Sequence, residues 1–180
     1  MVYASDNRQE QLANWILDLV EILRAKGGRT WRLLVETVSG KTAAIALDGI
    51  GLRLRASGGN ELLLTVEPLA ESEPLIFRSD AETLRDAIAG RLSVDAAVTA
   101  GDIYVRGDLE DLRGIYAVTM EILADSAINP QLQRLWEEFD ESWERPSSPP
   151  PCRALEQQKP PYGYLVNQVS EDVLRTDVGE

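Results

Sequence analysis

The stretch from Leu75 to Asp108 constrains the fold of this chain more than any other. A short apolar run, Leu75-Ile76-Phe77, leads into Ser79-Asp80-Ala81-Glu82, the pattern of a capping box at a helix start. The helix it opens carries Leu84, Ala87 and Ile88 on one side and stops at Gly90. A short link passes through Gly101. Ile103 and Val105 then alternate with Tyr104 and Arg106, the two-residue period of a strand. Asp108, after Gly107, caps a further helix whose apolar stripe is Leu109, Leu112, Tyr116, Met120 and Leu123. Strands and helices alternating over so short a span place the chain in the α+β class, with sheet and helices sharing one core.

The segments on either side extend that reading. Residues 6–26 have helical spacing of Leu12, Trp15, Ile16, Leu19, Ile22 and Leu23, with Asp6 as the expected cap and Gly27-Gly28 as the stop. Trp31 to Val38 is rich in apolar and β-branched residues and is expected to be a strand, turning at Ser39-Gly40 into a second strand over Thr42–Leu47. Asp48-Gly49 is a strong hairpin signal, and Leu52-Arg53-Leu54-Arg55 alternates beyond it. Glu61–Glu67 completes a mainly antiparallel meander. Asn129-Pro130 pairs a capping residue with proline at the first helical position. The helix it opens carries Leu132, Leu135, Trp136, Phe139 and Trp143 on one face and acidic residues on the other. Six of the nine prolines follow between Pro146 and Pro161. The expected organisation is therefore one domain over residues 1–144 and a proline-rich linker and tail over 145–180.

Composition removes whole classes of function. The formal net charge is −12, which opposes nucleic-acid binding and docking on anionic lipid surfaces. The sequence contains no histidine and one cysteine, Cys152, so the usual general base and the usual zinc ligands are missing. No metal site and no cofactor are expected. No apolar run is long enough to span a membrane and no leader pattern is present, so stable membrane insertion is not expected and the cytoplasm is the expected location. Acid–base chemistry would rest on carboxylates alone. Asp102 and Asp108 bracket one expected strand and lie roughly 20 Å apart, too far for a catalytic pair. The expectation is a protein that is not an enzyme.

Two phosphate-loop fragments also fail. Ser39-Gly40-Lys41-Thr42 lacks the glycine its pattern needs at position 35, which is Val35, and it falls between two expected strands with no helix N-terminus to follow. Gly49-Ile50-Gly51 lacks its third glycine, since that position is Leu54. The acidic run over 137–144 has no calcium-loop spacing.

The order helix, Gly90, link, Gly101, alternating strand, Gly107-Asp108, amphipathic helix resembles the sterol-carrier-protein-2 (SCP-2-like) family of small lipid-binding domains. The likeness covers residues 10 to 125, approximately. It implies a five-stranded, largely antiparallel sheet with helices packed on one face and an apolar cavity between them. It further implies a carrier for an acyl, sterol or isoprenoid chain. The strong acidity and the extra C-terminal helix and tail depart from the family pattern.

Residues that face inward by periodicity are the candidate cavity lining: Leu84, Ile88, Ile103, Val105, Leu112, Tyr116 and Met120. Tyr116 adds a phenol able to meet a polar head group. Trp136, Phe139 and Trp143 are candidates for a lid or for packed core. The expected partner is a lipid or other hydrophobic small molecule. The alternative is an interaction or accessory module with a filled core, which would engage a second copy or another protein through the aromatic helix or the tail.

Overall fold

A computed structural model describes residues 3–59, 61–70 and 73–143, with side chains from residue 7 onward. The proline-rich tail, Cys152 and the domain boundary at 144 lie outside the described residues. The elements run α1 (Tyr3–Lys26), α2 (Gly28–Val38), β1 (Thr42–Leu47), β2 (Ile50–Ser57), β3 (Leu63–Pro68), β4 (Phe77–Ser79), α3 (Ala81–Ile88), α4 (Val94–Ala100), β5 (Tyr104–Val105), α5 (Leu109–Ser126) and α6 (Pro130–Ser142). The five strands form one sheet in the order β3-β2-β1-β4-β5. Neighbours are antiparallel except β1 and β4, which run parallel. The α+β class and the five-stranded sheet match the expectation, with one parallel pair making the sheet mixed.

Local chemistry explains most boundaries. Asp48 and Gly49 adopt positive φ of 49° and 80°, the backbone of the tightest hairpin turn, and join β1 to β2. Asp108 accepts from the Asp111 N–H at 2.9 Å and Asn129 from the Gln131 N–H at 2.9 Å, so α5 and α6 begin where their caps stand.

Several expectations need correction. Residues 31–38 are helix, not strand. Trp31, Leu34, Val35 and Val38 fall at i, i+3, i+4 and i+7, and that period prevails over their β-branched content because it gives α2 a face to bury. Ser39-Gly40 accordingly links a helix to a strand rather than two strands. The cap of α3 is Asp80, which accepts from the Thr83 N–H at 2.7 Å, while Ser79 ends β4. The most buried residues of α3 are Ala81, Thr83, Arg85 and Ala87, while Leu84 and Ile88 are half-buried, Leu84 still packed against the core. Between Gly90 and Gly101 stands the short helix α4, capped by Ser93 and closed by Gly101 in the left-handed conformation. Finally, α1 begins at Tyr3, which places Asp6 inside the helix rather than at its cap.

The sheet face toward the helices carries Ile45, Leu47, Leu52, Leu54 and Val66, set side by side by the β1–β2 and β2–β3 registers. Helix α1 lies over β2 and β3, α2 packs on α5, and α6 packs on α1 and α5. Two apolar clusters result. One gathers Leu12, Leu47, Leu52, Ala81, Phe139 and Trp143. The other gathers Val20, Val35, Ala56 and Leu62. Helices α2 and α5 approach so closely that a Cβ on Gly114 would lie 2.9 Å from Thr37 Cγ2.

A polar clamp ties α5 to the α1–α2 corner. Thr30 donates to Asp125 Oδ2 at 2.6 Å, and Lys26 pairs with the same carboxylate. Burial alone would raise the Asp125 carboxyl, but hydrogen bonds from Lys26 and Thr30 and the Lys26 charge outweigh it and hold the group below its ordinary value. A depressed folded-state pKa contributes stability that is complete above the unfolded value of about 4 and is lost as pH falls through the folded one. Asp125→Asn is therefore expected to be less stable than wild type at pH 7. The gap should close as the pH drops below about 4, as read by urea unfolding across that range.

Candidate functional site

An apolar pocket of about 280 Å³ lies between the sheet and the helices above it. Ile16, Leu19 and Val20 of α1 and Leu34, Thr37 and Val38 of α2 form the roof. Ala43 of β1, Leu54 and Ala56 of β2 and Leu64 of β3 form the floor. Leu62, Ile76 and Ile115 of α5 complete the walls. Ala43 stands opposite Leu54, and Ala56 opposite Leu64, so all four side chains share one face of the sheet. The space exists because two of them are alanines. Farther along the same face Ile45, Leu47 and Leu52 fill the equivalent depth against the first cluster.

The polar lining is contiguous. Lys41, Thr42, Arg106, Gly107 and Asp111 all border the pocket. Lys41 forms an ion pair with Asp111. A Cβ on Gly107 would lie 3.5 Å from Asp111 Cβ, which brings Arg106 to the same edge. Lys41, Thr42 and Arg106 are exposed, so this edge is the mouth. The arrangement is that of a small-molecule site: apolar walls and a few polar groups at one end, at the lower edge of the usual size range of about 300–1,000 Å³.

None of the seven expected lining residues borders this pocket. Leu84 packs against the first core cluster, and Ile88 is half-buried on the same helix. Ile103 is packed core, and Val105 pairs with Phe77 in the sheet. Leu112 is half-buried, whereas Tyr116 and Met120 are 42% and 43% exposed. Leu112 and Tyr116 border a shallow depression on the outer side of α5 instead. The Tyr116 hydroxyl is 3.1 Å from Asp95 Oδ2, and that hydrogen bond, together with the carboxylate charge, raises its pKa.

The aromatic residues of α6 also lie elsewhere. Phe139 and Trp143 are 3% and 2% exposed, with ring centroids 5.7 Å apart, and Trp15 packs 4.9 Å from Phe139. Trp136 is half-buried, 5.3 Å from Trp15. They belong to the first cluster or its rim, and none of them lines the pocket.

Sequence reasoning missed the α2 wall because residues 31–38 read as strand. It also set aside Lys41 and Thr42 once the phosphate-loop pattern failed, although both border the mouth. The helical spacing of Trp31, Leu34, Val35 and Val38 was the available signal for the first. Among the described residues no group of three His, Cys, Asp or Glu side chains converges as a metal site would require, and no helix is long and apolar enough to cross a membrane.

No protein-family model and no curated protein matches the chain. Among solved structures it is similar to one described as a UbiJ-SCP2 ubiquinone synthesis protein. The identity is 17%, over 52% of this chain and 81% of that one, with a TM-score of 0.38. An overlap that loose does not assign a family.

Proposed function

We propose that this protein is a non-catalytic binding module that holds one hydrophobic chain, acyl or isoprenoid, in the pocket between sheet and helices. The observation that carries this reading is the pocket itself: walls of Ile, Leu, Val and Ala with the single hydroxyl of Thr37 in the roof, and charged groups confined to one edge. The SCP-2-like order of elements over 75–108 supports it. Burying each methylene is worth about 0.8 kcal/mol, so a medium-length chain offsets an association cost of several kcal/mol. A four-ring sterol fits this reading poorly, because about 280 Å³ does not accommodate it unless the walls move.

The test is native mass spectrometry of delipidated protein before and after incubation with a lipid extract. One adduct per chain, at the mass of a single-chain lipid, is the expected result. Unchanged spectra with extract in excess would overturn the proposal.

A second reading, an interaction module, has one observation in its favour. Leu109, Tyr116 and Met120 line the outer side of α5 and are exposed, with exposed Val98 on neighbouring α4. The aromatic face of α6, by contrast, is turned into the core. Concentration-dependent association in sedimentation, with no lipid adduct, would favour this module.

A further inference from the structure

The mouth of the pocket carries charges that apolar walls do not require. Lys41 and Asp111 neutralise one another across it. Arg106 stands beside them, exposed, and among the described residues no carboxylate pairs with it. Several other guanidinium groups are engaged, Arg53 with Glu73, Arg85 with Glu82 and Asp140, and Arg91 with Asp86, and of the arginines without an ion pair among the described residues Arg106 is the one that borders this pocket. The Arg106 backbone is held in place, since its N–H donates to the Ile76 carbonyl at 2.8 Å and Ile76 is itself a pocket wall. The result is a fixed position with an uncompensated cation, on a protein of formal net charge −12.

We infer that the mouth selects an anionic head group, carboxylate or phosphate ester, so that the ligand is a single-chain amphiphilic anion with its head at Arg106 and its tail in the pocket. This rests on reading the pocket as a ligand site. A hydrocarbon gains nothing from Arg106, a neutral alcohol gains at most one hydrogen bond without charge attraction, and a cationic head is repelled by it. The planar guanidinium suits two-point contact with a carboxylate or phosphate. Asp111 opposes the incoming anion, and Lys41 offsets that opposition by pairing with it. Size sets the tail: at about 30 Å³ for each water-sized group, about 280 Å³ holds a chain of roughly nine such groups.

The experiment is displacement of a neutral, environment-sensitive apolar dye from delipidated full-length protein. The competitors are decanoate, decyl phosphate, decanol and cholesterol at pH 7.5. Both anions should bind about three- to fivefold tighter than decanol at low salt, the scale of one partly exposed charge contact, and the gap should narrow at high salt. Arg106→Gln should erase the gap by weakening both anions, with decanol displacement on the same variant as the reference for each ratio. Asp111→Asn, which frees Lys41 and removes the opposing charge, should widen it. Equal binding of decanol and decanoate, or a gap that survives Arg106→Gln, would overturn the head-group selection and leave the binding module standing. Cholesterol binding tighter than decanoate would overturn the size argument. Failure of all four competitors to displace bound dye would overturn the selection and the binding module together.

Discussion

Trp143→Ala is expected to lower stability by about 3–5 kcal/mol, the cost of truncating a large buried aromatic side chain. Trp143 is 2% exposed and stacks on Phe139. Its indole N–H donates to Asp48 Oδ2 at 2.7 Å, and Asp48 Oδ1 also accepts from the Ala81 N–H at 3.1 Å. The Trp143 carbonyl accepts from the buried Arg85 at 2.6 Å. One residue thus joins the β1–β2 turn, the start of α3 and the end of α6. The melting temperature should fall by on the order of 10 °C. Trp136→Ala, at a half-buried rim position, should cost clearly less. If Trp143→Ala instead melts like wild type and takes up more lipid, the residue is a lid and not core.

Ala43→Phe should abolish lipid uptake without unfolding the protein. Ala43 is half-buried on the pocket floor, and the new ring has about 280 Å³ in front of it. Stability should hold or rise, because the ring buries apolar surface and an aromatic residue suits a strand. Affinity for an acyl probe should fall tenfold or more. Ile103→Phe provides the contrast. Ile103 is 7% exposed and does not line this pocket, so added volume there meets packed neighbours and should cost about 1–3 kcal/mol. Melting temperature and probe binding, measured on both variants, separate filling a space from overpacking a core. Loss of stability in Ala43→Phe as large as in Ile103→Phe would show that the pocket is not available space.

The local reading was most successful where adjacent residues encode the element. Asp108 and Asn129-Pro130 start α5 and α6 because each side chain satisfies a backbone N–H within two or three residues of itself. Asp48-Gly49 turns the hairpin because those two residues accept positive φ. Residues 31–38 show the limit. Val and Thr favour a strand, while the spacing of Trp31, Leu34, Val35 and Val38 favours a helix. The choice falls to what the apolar face can be buried against, here α5 and the cluster around Val20 and Leu62. Local propensity is too weak to decide such a segment when tertiary burial opposes it. Arg85 is a second case: its position within α3 resembles a surface arginine, and only the arrival of Asp140 and the Trp143 carbonyl makes burial tolerable.

Sequence by itself determined the α+β class, the five-stranded sheet suggested by the SCP-2-like pattern, the starts of α5 and α6 and the absence of histidine chemistry. These depend on composition or on residues a few positions apart. Tertiary structure alone decided where the pocket is. Its lining runs from Ile16 to Ile115 and comes from α1, α2, α5, three strands and the links between them. A space is what remains when those side chains have packed, and it opens where Ala43 and Ala56 fall short of α1 and α2. No periodicity along the chain records that shortfall, because it depends on side-chain volumes that meet only after the sheet and helices are in contact.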